Sequence, residues 1–188
     1  MTSSTGVADL VTWVDHVALT VPDLDEGVAF FRDVFGAEEL YRSRRGPDPD
    51  FMPEHFGVPP DAHLELAMLR MPPNLNLELF QWWSADARAD RPRHCDPGGH
   101  HLCYSVTDVD EAIARLEAVP GVRVLGGRKE VGGDSPRVAG NRWTYVTTPW
   151  GLLIELVDRS RVRHPPDLIG PADERAAGPD HDTRMTDG

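Results

Sequence analysis

The chain has 188 residues, the size of one domain with a core large enough to fold without staples. Its 31 acidic against 19 basic residues leave a formal net charge of −12, so neither nucleic acid nor an anionic membrane is an expected partner. No apolar run reaches the roughly 18 to 20 residues of a membrane span, the first ten residues lack a signal-peptide pattern, and Cys95 and Cys103 make no disulfide framework; a cytoplasmic location is expected.

Residues 13–21 alternate and are rich in β-branched side chains, which predicts a strand ended by Pro22-Asp23. Leu24, Val28, Phe31 and Phe35 share a helical face, which predicts a helix over 25–35 with Asp23 as N-cap and Gly36 as the closing glycine. A strand is predicted at 38–44. Residues 63–71 and 75–82 form a predicted hairpin around Pro72-Pro73-Asn74. Between Arg42 and Ala62 lies a proline-rich segment in which Phe51, Met52 and Phe56 offer apolar anchors. A short folded cover over the site is expected there. After a linker at 84–97 the order returns: strand 100–106, helix 109–119, strand 122–126, strand 141–147, a turn at Pro149-Trp150-Gly151 and strand 152–158. Residues 159–188 lack periodicity and read as a mobile tail.

The recurrence is also one of residues. Val21-Pro-Asp-Leu-Asp-Glu returns as Val106-Thr-Asp-Val-Asp-Glu at an offset of 85, which places His16 on His101. Leu75-Asn-Leu-Glu-Leu-Phe80 returns as Leu152-Leu-Ile-Glu-Leu-Val157 at an offset of 77, which places Glu78 on Glu155. The first module therefore carries eight more residues, within the 43–61 segment. Each module reads as βαβββ, and two such halves make an α+β fold.

Alternation along the strands puts His16, Glu78, His101 and Glu155 opposite the main apolar face, beside the small side chains Ala18, Thr20, Cys103 and Ser105. A bare carboxylate amid Leu-Ile-Glu-Leu-Val must be exposed, paired or bound to a cation. Two His and two Glu in equivalent places of a duplicated unit point to one divalent metal between the modules. Imidazole with carboxylate suits Mn, Fe, Co, Ni or Zn.

Val14-Asp-His-Val-Ala-Leu-Thr-Val21, Asn76-Leu-Glu-Leu-Phe80, Gly99-His-His-Leu-Cys-Tyr-Ser-Val106 and Pro149-Trp-Gly-Leu-Leu-Ile-Glu-Leu-Val157 resemble the vicinal oxygen chelate superfamily, which includes glyoxalases, bleomycin-resistance proteins and extradiol dioxygenases. The resemblance covers residues 11–158. It implies one glyoxalase-like domain, with module one at 11–83 and module two at 98–158, whose cupped mixed sheet surrounds a divalent metal, with helices on the outer face. It also implies His16, Glu78, His101 and Glu155 as the metal ligands. A two-His, two-Glu set looks most like the glyoxalase I and epimerase branches. The expected function is a metal-dependent isomerase, epimerase or lyase, moving a proton α to a carbonyl of a small polar molecule that chelates the metal. The alternatives are a non-haem Fe(II) ring-cleaving dioxygenase and a small-molecule binding or resistance protein. A homodimer is compatible with sheets of this kind.

Parity in the third strand, taken with Leu64, Leu66 and Met68 on the core face, points Glu65 into the cup as a candidate general base; the resemblance also allows metal-bound Glu78 or Glu155 to take the proton. The 77 offset pairs Glu65 with Arg142, a candidate for holding an anionic substrate group. Thr20, Cys103 and Ser105 are candidate substrate contacts. His94, Cys95, His100, His101 and Cys103 fit no common structural-zinc spacing.

Overall fold

The computed structural model of the chain describes residues 6–7, 10–11, 14–88, 92–132 and 138–160. The predicted tail lies outside these, apart from Arg159 and Ser160. The chain forms two compact units, Met1–Ala89 and Asp90–Gly188.

In the first unit β1 (Val17–Thr20) leads to α1 (Leu24–Phe35), β2 (Glu38–Arg45), β3 (His63–Met71) and β4 (Leu75–Trp83). The sheet order is β1-β4-β3-β2, with β1 parallel to β4 and the other pairs antiparallel. In the second unit β5 (His101–Val106), α2 (Val109–Glu117), β6 (Arg123–Glu130), β7 (Arg142–Thr147) and β8 (Leu153–Asp158) repeat this pattern as β5-β8-β7-β6. The elements fall near where the sequence places them, but β1 is shorter than expected, α2 ends at Glu117, and β6 runs on to Glu130 instead of stopping at 126. His16 stands one residue ahead of β1, and Trp13 lies outside the described residues.

The helices form for local reasons. Asp23 accepts from the Glu26 amide at 2.8 Å, and Gly36 takes the left-handed conformation (φ 71°) that closes α1. Asp108, at the equivalent place, accepts from the Asp110 and Glu111 amides. Leu24, Val28 and Phe31 are buried against the sheet, each such side chain contributing about 1.5–3 kcal/mol. Gly27 lets the helix approach: a Cβ there would sit 3.3 Å from Leu79 and Val21.

Cross-strand partners share a face, and the register sorts the first sheet. Leu19, Ala67, Leu69, Leu77 and Leu79 lie on the face that carries α1. Glu78 lies on the other, with Ala18, Leu64, Leu66, Met68, Phe80 and Trp82. In the second sheet Thr144, Val146, Ile154 and Leu156 lie on the α2 side, and Cys103, Trp143, Tyr145 and Glu155 share the opposite face.

The extra segment of the first module is folded. Met52–Phe56 makes a single π-helical turn with Met52 fully buried. The Phe56 ring meets Trp82 edge-on at 5.3 Å, so the segment packs on the face that carries Glu78.

Candidate metal centre and active site

Within each unit the structure brings one imidazole to one carboxylate. His16 Nε2 lies 3.3 Å from Glu78 Oε2, and His101 Nε2 lies 3.0 Å from Glu155 Oε2. The histidine comes just before the unit's first strand (His16) or at its first residue (His101), and the glutamate from the middle of the parallel neighbour. Adjacent parallel strands therefore suffice to join them. The carboxylates are the less exposed partners, Glu78 at 13% and Glu155 at 22%. Asp15 Oδ1 lies 2.7 Å from His16 Nδ1 and fixes the orientation of that ring. Among the described residues no group of three or more His, Cys, Asp or Glu side chains is arranged so as to hold a metal ion, and the four expected ligands gather as two pairs.

The three small lining residues stand on the expected faces. Thr20 is opposite Phe80, Cys103 is opposite Glu155, and Ser105 is opposite Val157. Burial pushes the Cys103 thiol up to about 11, and the Glu155 carboxylate adds to the rise. Cys103 is thus a neutral thiol at pH 7.

Two expectations are corrected. Glu65 pairs across the hairpin with Gln81, on the face that carries α1, so it does not share a face with Glu78. Its partner is the Arg44 guanidinium. Parity misleads because β3 is apolar on both faces: Leu64, Leu66 and Met68 are buried, and so are Ala67, Leu69 and Met71.

Arg142 is likewise turned to the helix side. It is 3% exposed and bonded to Asp158, with Asp110 at 3.5 Å. Burial pushes the Asp158 carboxyl up, but bonds from the Ser160 side chain and amide and from the Val109 amide, together with Arg142, hold it below its ordinary value. Arg142 therefore serves the fold and does not reach the face of Glu155.

A structural rule of the repeat explains both corrections. Gln81 Oε1 accepts from the Leu24 amide at 2.8 Å, and Asp158 Oδ2 from the Val109 amide at 3.4 Å. In each unit the fourth strand thus ties down the first turn of the helix. Glu65 and Arg142 stand opposite those ties.

The residues that the sequence reading missed lie on β7. Tyr145 is the cross-strand partner of Glu155, and its hydroxyl lies 3.5 Å from Glu155 Oε2. Its ring meets His101 at 5.5 Å and Trp143 at 5.4 Å, and His94 lies 5.1 Å from His101. Burial, then the Glu155 carboxylate, raises the Tyr145 phenol above its ordinary value. The signal was available, since a hairpin turning at Pro149-Trp150-Gly151 sets residue 145 opposite residue 155. Close by, a cleft of about 240 Å³ is lined by His94, His100, Thr147 and Leu153 among others.

A model of the glyoxalase/bleomycin resistance protein/dioxygenase superfamily matches residues 15–139. A 2-epi-5-epi-valiolone epimerase from an Actinomyces species is 48% identical over 145 residues, covering 77% of this chain and 78% of that protein. An ethylmalonyl-CoA/methylmalonyl-CoA epimerase of Cereibacter sphaeroides is 30% identical over 125 residues, covering 63% and 79%. A glyoxalase family protein from Bacillus cereus superposes with a TM-score of 0.63 at 22% identity, covering 79% of this chain and 94% of that one.

Proposed function

Because the chain belongs to the glyoxalase/bleomycin resistance protein/dioxygenase superfamily, we propose that it inverts a stereocentre α to the carbonyl of a small polar hydroxy ketone. It is an enzyme of the isomerase/epimerase class. The first substrate to test is 2-epi-5-epi-valiolone, for which its 48% identical relative is named. The observation that carries the reading is the facing imidazole and carboxylate, repeated in both units at 3.3 and 3.0 Å.

That geometry fits a divalent cation. The lone pairs of a neutral imidazole nitrogen and a carboxylate oxygen repel when they face each other, unless a proton or a cation lies between them. His16, Glu78, His101 and Glu155 would hold one ion per chain, with a donor set suited to Mn, Fe, Co, Ni or Zn. When bound, the ion would supply Lewis-acid charge beside the substrate oxygens and so acidify the hydrogen α to the carbonyl.

The remaining work falls to the chain. Glu155 takes the α proton, and the electrons of the C–H bond move toward the carbonyl oxygen. Glu78, protonated from solvent beforehand, gives that proton to the opposite face of the carbon, the electrons move back as the new C–H bond forms, and Glu155 then returns its proton to solvent. Nothing is oxidised or reduced. Thr20, Cys103 and Ser105, exposed on the faces beside the two pairs, bind substrate hydroxyls.

Turnover in deuterated water tests the proposal. Deuterium should enter at the carbon α to the carbonyl, and Glu155→Gln should lower the rate by about 10² to 10⁴. Turnover that requires dioxygen and leaves that carbon unlabelled would overturn the proposal in favour of ring cleavage.

A further inference from the structure

The duplication supplies an internal control that separates the two carboxylates. Glu78 and Glu155 are equivalent, and each has a cross-strand partner on the third strand of its unit: Met68 for Glu78 and Tyr145 for Glu155. Met68 and Tyr145 are themselves equivalent at the 77 offset. The halves have therefore kept the His–Glu pair while diverging at the residue beside the Glu. Met68 is buried and brings no donor. Tyr145 brings a hydroxyl to Glu155 Oε2 at 3.5 Å, the oxygen that His101 Nε2 also approaches at 3.0 Å. Its ring is held between His101 and Trp143, so the hydroxyl is directed rather than free to swing.

We propose that Tyr145 is a positioning residue that sets Glu155, and not Glu78, as the carboxylate that abstracts the substrate proton; this rests on the epimerase reading above. A carboxylate that must both face a cation and reach a carbon needs a partner to hold it through the exchange. Such a bond is long at rest and tightens when substrate is bound. In the first unit the apolar Met68 leaves Glu78 without that help.

The experiment compares Tyr145→Phe, Tyr145→Met and Tyr145→Gln with the unaltered full-length chain. Each is measured for bound metal, melting temperature, kcat, KM and deuterium entry into substrate. Tyr145→Met copies the first unit, and Tyr145→Gln restores a donor. Loss of a partner that orients a metal-site residue costs about 10- to 100-fold. For Tyr145→Phe and Tyr145→Met, kcat and the rate of deuterium entry should fall by that factor, with KM and metal content near those of the unaltered chain. Tyr145→Gln should recover part of the loss, which a residue serving only the packing would not do.

A rise in KM at constant kcat would overturn the proposal, because Tyr145 would then bind substrate instead of setting Glu155. Full activity in Tyr145→Phe, with normal deuterium entry in the unaltered chain, would overturn it while leaving the epimerase reading intact. Absence of deuterium entry in the unaltered chain would overturn both.

Discussion

A buried guanidinium persists only where opposite charge meets it, and Arg142 has Asp158 in direct contact. Arg142→Ala would strand a buried carboxylate, so it should cost about 3–5 kcal/mol, read as a lower denaturation midpoint. Any loss of activity should follow the loss of folded protein. Asp158 also fixes a pH dependence, chiefly through the bonds it accepts from the Ser160 side chain and amide, with the Val109 amide and Arg142 adding to them. The folded Asp158 carboxyl titrates below its ordinary value of 3.8, so between the two values the unfolded chain binds more protons. The stability this contributes is complete above the ordinary carboxylate range and is lost as pH falls toward the folded value. Asp158→Asn should flatten that acid limb in urea titrations at graded pH; an unchanged limb would assign it to other carboxyls. Glu65 is held by Arg44 at a half-exposed position on the helix side. An exposed pair contributes about 0–1 kcal/mol, so Glu65→Gln should leave both kcat and metal content near normal. A large fall in kcat would return Glu65 to the chemistry.

At the scale of elements, the strands, the hairpin turns and the helix caps were legible because each rests on a short-range rule: alternation, a Pro or Gly turn, an Asp three residues ahead of a free amide. The face of β3 was not. Its Leu-Glu-Leu-Ala-Met-Leu run satisfies both parities, and only pairing with β4 assigns Glu65 to the side of Gln81. The 43–61 segment was legible as a place and not as a conformation. Its anchors, Met52 and Phe56, act through contacts with distant residues such as Trp82, which no local pattern states. Met52→Ala removes a fully buried side chain and should cost about 2–5 kcal/mol, checked by chemical denaturation. A neutral result would mean that the segment does not belong to the cooperative unit.

At the scale of the molecule, both units share one strand order and one pairing pattern, as the duplication in the sequence requires. The pairs His16–Glu78 and His101–Glu155 are the part of the candidate site that repeats most faithfully, because two adjacent parallel strands are enough to form each one. Tyr145 was missed since the repeat itself puts Met68 in its place. A position where the copies have diverged leaves no trace in the repeat. The reading proposed above has the two pairs serving one ion. It is tested most directly by the metal content of purified full-length chain, measured for the unaltered protein and for His16→Ala, Glu78→Gln, His101→Ala, Glu155→Gln and His100→Ala. One divalent ion per chain is expected, with strong loss of metal from variants in either unit and near-normal content in His100→Ala. Two ions per chain, each lost only with its own pair, or metal retained when either pair is removed, would contradict it.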